Sequence, residues 1–245
     1  MSAPVGLHHD GPRATITLAR PERGNALGAA MVEAIDVALD GALAAGARLV
    51  LFRGEGRNFC TGLDLSDLAE IGDGDLALRI LRIELLLQRI HALPVTTAVV
   101  AGGRVFGAGA DLFAVCDHRV ALAGASFAFP GPAFGLVLGT GRLAGLVGDG
   151  AARRLLLAGE AVTAARADQI GLATAVVEDA AQAIAAAEAG AVRLDAATVA
   201  ALHARTRRAD DAADLAALAR SVARPGLKAR IEAYRAQAAA QRSQG

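Results

Sequence analysis

Apolar and polar side chains in the first 180 residues switch repeatedly between a period of two and a period near 3.6, and the switches mark element boundaries. In ATITLA, Ala14 to Ala19, Ile16 and Leu18 alternate with threonines as a half-buried strand requires. A charge-rich turn follows. Met31, Ile35, Ala38, Leu39 and Ala42 then recur at helical spacing, which predicts a helix between Gly28 and Ala45. Leu49 to Phe52 form a short apolar strand ahead of the glycine-broken turn GEGRNFCTGLDL. The next helix is expected from about Leu76 to His91, with Ile80, Ile83, Leu87 and Ile90 as its core stripe and Pro94 as its stop. VTTAVVAG reads as a strand, Asp111 opens a helical segment, and RVALA and ATAVV (Ala173 to Val177) read as strands. Such alternation of strands and helices is the pattern of an α/β fold.

Beyond about residue 180 the strand signal stops. DDAADLAALARSVARPGLKARIEAYRAQ predicts helix, a breaker at Pro225 and Gly226, then helix. Its alanine and leucine stripe has two uses, a satellite helical pair on the chain's own core or packing on a partner subunit. The chain is accordingly divided into a core, 1–178, and a helical C-terminal segment, 179–245.

With 245 residues, 54% of them hydrophobic, one main core is expected. Lys and Arg together equal Asp and Glu at 25 each, so no net field favours nucleic acid or an anionic membrane surface. Cys60 and Cys116 read as reduced core thiols. The N-terminus, MSAPVGLHHDGPR, lacks the basic and apolar regions of a signal peptide, so a cytoplasmic protein is expected. The uncharged stretch Val120 to Gly141 raises the question of a membrane span. Pro130, Pro132 and its glycines argue instead for buried loop and strand.

Glycine-rich loops invite a nucleotide, but GAGADL has two of the three glycines of a dinucleotide fingerprint. No Gly-Lys followed by Ser or Thr occurs, and GTGRLAG misses the required spacing. The five histidines show no metal-type spacing with the cysteines, so no metal is expected. Without a Gly-x-Ser-x-Gly elbow there is no hydrolase nucleophile. What two Gly-bounded turns can do is aim bare backbone N–H groups at one ligand atom. Losing one such donor typically costs about 2.7–4 kcal/mol of transition-state stabilisation. The alternative is that both loops are only tight turns.

Four segments in order and register resemble the crotonase family of enoyl-CoA hydratases and isomerases: RPERGNALGAAM, RNFCTGLDL, GAGADLFAVCDHRVA and FAFPGPAFGLVLGTG. The resemblance runs from Ala14 to about Val177. It implies a spiral of ββα units, a C-terminal helical segment that packs in a trimer or a dimer of trimers, and an acyl-CoA thioester as substrate with no separate cofactor. Fatty-acyl-CoA metabolism is the implied setting.

Carried over residue by residue, the resemblance implies that the N–H groups of Leu63 and Ala108 hold the thioester oxygen. It places Ala26, Asp64, Leu65 and Ser66 along the CoA pocket and Arg23 in an early loop near the nucleotide end. Asp64 has an alternative as a helix N-cap before LSDLAE, and Arg23 as a solvated charge. Asp111 matches the first of the two catalytic glutamates of the hydratases, one methylene shorter. The second glutamate falls on Gly131, and neither Gly139 nor Thr140 supplies a carboxylate. Isomerisation, which needs one proton carrier, is therefore expected over two-carboxylate hydration, with a non-catalytic acyl-CoA-binding protein as the alternative. Arg104 reads as an exposed strand-end charge and Phe129 as core, each with a role at the acyl group as its second reading.

Overall fold

The main sheet begins with a hairpin, Val5–Asp10 (β1) and Arg13–Leu18 (β2). In the computed structural model residues 3–159, 161–207 and 210–242 are described. After β2 come Ala29–Ala44 (α1), Leu49–Gly54 (β3), Asp73–His91 (α2), Thr96–Ala101 (β4), Arg104–Phe106 (β5), Ala108–Ala114 (α3), His118–Leu122 (β6) and Ser126–Ala128 (β7). Thr140–Val147 (α4), Asp149–Ala158 (α5), Val162–Thr163 (β8), Ala164–Gln169 (α6) and Ala175–Val177 (β9) follow. Ala181–Arg193 (α7), Ala196–Thr206 (α8), Asp211–Val222 (α9) and Leu227–Arg242 (α10) close the described chain.

Six strands pair in the order β1-β2-β3-β4-β6-β9, all parallel after the first hairpin, and β5-β7-β8 form a second, smaller sheet. The alternation in β2 has the predicted consequence: Ala14, Ile16 and Leu18 are fully buried. They pack with Met31, Ile35 and Leu39 of α1 and with Ile83, Leu87 and Ile90 of α2. At about 1.5–3 kcal/mol for each fully buried large apolar side chain, this cluster supplies most of the drive to fold. The other side of the sheet is covered by α7, whose Ala187 and Ala191 sit against Leu49, Leu51 and Ala98.

The helices at the end of the chain pack on its own core. Leu218 and Val222 of α9 and Leu227 and Ile231 of α10 are buried with Leu76 and Ile80 of α2 and with Leu136. Asp73, the first residue of α2, accepts hydrogen bonds from the N–H groups of Leu227 and Lys228 at 3.1 and 2.8 Å, tying the start of α10 to the start of α2. Part of this tail's apolar stripe is thus buried on the chain's own core, while Val192 and Leu202 stay exposed.

Four strands lie outside the expected set. β1 is almost wholly exposed and carries no apolar alternation, while β5, β7 and β8 are three residues long or shorter. Two helices start earlier than expected. α2 begins at Asp73 behind Gly72, and α3 begins at Ala108 behind Gly107, which leaves Asp111 inside the first turn. The uncharged stretch is strand and loop, as expected, but only part of it is buried: the end of β6 and β7 enter the core, while the 3-10 turn at Gly131–Phe134 holds no buried residue. Among the described residues no helix is long and apolar enough to cross a membrane.

Candidate active site

Two turns meet backbone to backbone where the sheets join. Leu27 donates to the Gly62 carbonyl at 2.7 Å and accepts from the Asp64 N–H at 3.1 Å. Because both bonds go to the neighbours of Leu63, as in a parallel bridge, the N–H of Leu63 itself points away from Leu27. On the second turn, the Gly107 N–H donates to Ala128 at 2.8 Å and the Gly107 carbonyl accepts from Ala110 and Asp111. Ala108 is the first residue of α3, so its N–H has no intrahelical partner. Among the described residues neither the Leu63 nor the Ala108 N–H has an acceptor.

Glycine makes this approach possible. Gly62 has φ +93°, and a Cβ there would lie 2.7 Å from the Phe106 carbonyl oxygen and 3.3 Å from the Ala108 nitrogen. A Cβ on Gly109 would come 2.3 Å from the Cys60 carbonyl oxygen. The Phe106 N–H donates to that same oxygen at 3.0 Å, which locks β5 to the first turn. Both contacts are too close for any side chain, so the two turns hold a fixed distance.

A cavity of about 220 Å³ opens in front of these turns. Its walls include Leu63, Leu65, Ala108 and Asp111, with Ile80 and Ile83 of α2, Leu136, Leu138 and Leu156 on the apolar side. Phe129 is 4% exposed and lines the cavity as well, so it serves as core and wall together. Arg104 is an exposed charge at the start of β5, as expected, its guanidinium 5.9 Å from the Phe106 ring centroid.

Asp111 is the only carboxylate among the described residues that line this cavity. It is 7% exposed, and its carboxylate oxygens accept no hydrogen bond among the described residues. Burial pushes its carboxyl up to about 8; the Arg142 charge opposes the shift, and the nearby Glu84 and Asp214 carboxylates add to it. Burial likewise pushes the Cys60 thiol up to about 12, which removes it as a nucleophile at neutral pH.

Four of the residues singled out by sequence come together here: Leu63, Leu65, Ala108 and Asp111. Ala26, Asp64, Ser66 and Arg23 do not line the cavity. The Asp64 carboxylate is engaged locally, accepting from Arg20 at 3.2 Å and from the Ser66 N–H at 2.9 Å. Residues 66–70 are turns, not a helix, so Asp64 closes an Asx-type turn where a helix N-cap was the alternative. Arg23 is exposed on a 3-10 turn, and Ala26 is buried.

Sequence reasoning missed Tyr234, which enters the cavity wall from α10 with its ring 5.2 Å from that of Phe134. It also missed a buried charge cluster behind Asp111. Arg142 donates to both oxygens of Glu84, at 2.7 and 2.6 Å, and lies 3.6 Å from Asp214. Glu84 had a legible signal, because it falls on the core stripe of α2 between Ile83 and Leu87.

The family model described as "Enoyl-CoA hydratase/isomerase" matches residues 13–227. The chain belongs to the enoyl-CoA hydratase/isomerase family. A solved structure titled "putative enoyl-CoA hydratase/isomerase" from Bordetella parapertussis is 45% identical, with a TM-score of 0.92 over 95% of this chain and 98% of that one. An enoyl-CoA hydratase/isomerase from Xanthobacter autotrophicus Py2 is 27% identical, with a TM-score of 0.82 over 97% and 99%. The Mycobacterium tuberculosis protein named "Probable enoyl-CoA hydratase echA6" is 38% identical over 165 residues, 66% of each chain. The matched stretch is therefore just under two thirds of that relative's length. The fold is accordingly crotonase-like, with both sheets and the helical C-terminal segment of this enoyl-CoA hydratase/isomerase family member in place.

Proposed function

We propose that this protein is an acyl-CoA isomerase in which the N–H groups of Leu63 and Ala108 bind the thioester oxygen and Asp111 moves the proton. The observation that carries this reading is the pair of acceptor-free amides lining the same cavity as a single buried carboxyl. With a 3-enoyl ester bound, the Asp111 carboxylate takes a proton from the carbon next to the thioester carbonyl. The electron pair moves into a dienolate whose oxygen the two amides stabilise. Asp111 then returns the proton to the far end of the dienolate, and the double bond has moved into conjugation. One group does both transfers, so no second carboxylate is needed.

The enclosed apolar walls suit an acyl chain without charge, and the polar remainder of CoA would lie outside the cavity past Leu65 toward Ser66, Asp64, Ala26 and Arg23. Fatty-acyl-CoA metabolism in the cytoplasm, and assembly as a trimer or dimer of trimers, belong to the same proposal and rest on family membership. Turnover of a panel of 3-enoyl- and 2-enoyl-CoA esters tests it. Isomerisation is expected for the wild type. Asp111→Asn should slow it about 10²–10⁴-fold while calorimetry shows the ester still bound.

Gly131 favours a second reading. It lines the cavity where the family's second carboxylate belongs, and the wall opposite Asp111 carries no acid. A protein that binds acyl-CoA without turning it over would give tight binding and no product on every ester of the panel.

A further inference from the structure

A carboxyl in an apolar cavity needs some arrangement that determines its charge. Around Asp111 that arrangement is the cluster on α2, α4 and α9. Arg142, at the third position of α4, is the cation nearest to the pocket carboxyl. Across the intervening Gly139, a Cβ would lie 2.9 Å from the Asp111 Oδ1 and 3.3 Å from an Arg142 guanidinium nitrogen. Yet Arg142 and Asp111 form no ion pair. The guanidinium is turned onto Glu84, fully buried, with both of its terminal nitrogens and lies 3.6 Å from Asp214, while Asp111 feels its charge without a hydrogen bond or ion pair to it. Glu84 is itself held by Gln88, which donates to it at 2.7 Å, and Asp214 accepts from the Gly141 N–H at 3.0 Å. One cation thus stands among three carboxyls and directly contacts two, and the one that faces the cavity has no direct contact with it.

Resting on the isomerase reading above, we infer that Glu84 and Asp214 are positioning residues for Asp111: by holding Arg142 they deny the pocket carboxyl a direct ion pair and so set how strong a base it is. A carboxylate paired with arginine is a weak base and would leave a thioester's α-proton in place. The same carboxylate without a partner matches that task far better. The other charged groups near α3 do not compete for it. Arg104 of β5 lies at an exposed strand end over Phe106, His91 at the end of α2 is held neutral by its own burial, and Tyr234 of α10 contributes a phenol to the cavity wall. The direction of the Asp111 shift agrees, since Glu84 and Asp214 both raise it.

Two isosteric variants remove charge and keep shape. Asp214→Asn retains the oxygen that accepts from Gly141, and Glu84→Gln retains an acceptor for Arg142. The first readout is the carbon-13 carboxyl titration of Asp111 in the ligand-free protein, assigned by its absence in Asp111→Asn. The second is the pH profile of 3-enoyl-CoA isomerisation. In each variant the Asp111 titration and the rising acid limb of the profile should move together toward lower pH by about one pH unit or more. The plateau rate should fall as the base weakens. An unchanged Asp111 titration in folded Asp214→Asn overturns the inference, whatever happens to Glu84→Gln. A shifted titration without turnover of any ester by the wild type upholds the electrostatic arrangement and overturns the isomerase reading.

Discussion

The Cys60 carbonyl oxygen lies against the α-carbon of Gly109, so close that a Cβ there would stand 2.3 Å from it. This contact joins the turn that bears Leu63 to the helix that begins at Ala108. Gly109→Ala should therefore separate the two amides as well as strain the core. Overpacking of this kind typically costs about 1–3 kcal/mol, visible as a lower midpoint in urea. Turnover should fall further than the loss of folded protein accounts for, which activity at a pH and temperature where the variant is fully folded will measure.

Asp111 makes stability depend on pH. Its ordinary value is 3.8 and burial raises it to about 8 in the folded chain. Between those values the unfolded chain has lost the proton that the folded chain still holds. The contribution is thus complete below about pH 4 and declines as pH rises to about 8, by up to about 1.4 kcal/mol per unit. Chemical denaturation at pH 5, 6, 7 and 8 should show this decline in the wild type. In Asp111→Asn it should be smaller by that amount.

Gly131 offers a gain-of-function experiment. A Cβ at this position would meet nothing closer than Leu136 Cβ at 3.7 Å, an ordinary contact. Gly131→Glu should therefore fold and place a second carboxylate in the cavity wall. Hydration of 2-enoyl-CoA should rise from its wild-type level, by up to the 10²–10⁴-fold typical of a positioned acid–base group. Product analysis by chromatography of the 3-hydroxyacyl ester checks this.

Asp73→Ala removes the side chain that accepts from the first N–H groups of α10. A lost cap typically costs about 0.5–2 kcal/mol. Because α10 carries Tyr234, the loss should appear locally, as faster amide exchange along α10 and a higher KM, with amide exchange in β2 to β4 unchanged.

Much of this was legible in the chain itself. The period-two and period-3.6 stretches gave β2, β3, β4, β6, α1 and α2, because those elements bury one face in a single core. The short strands of the second sheet were not legible: three residues cannot show a period, and their pairing depends on partners far along the chain. The convergence of the Leu63 and Ala108 turns was visible as glycine in two motifs, since only glycine lets two backbones touch there. Tyr234 was hidden because it stands 78 residues or more along the chain from the rest of the wall, among helix positions whose direction only packing decides. Glu84 and Arg142 could have been found as charges interrupting apolar stretches, the first on a core stripe and the second closing the uncharged run that starts at Val120.

One consequence of α10 reaching back to Phe134 concerns the order of synthesis. The floor and sides of the cavity are translated before the helix that supplies Tyr234 to its wall. Until that helix docks, Phe134, Leu136 and Ile80 form an open greasy concavity on an otherwise finished sheet structure. In a nascent chain that folds in this order, the uncovered apolar wall is a surface on which chaperones or aggregation would engage it.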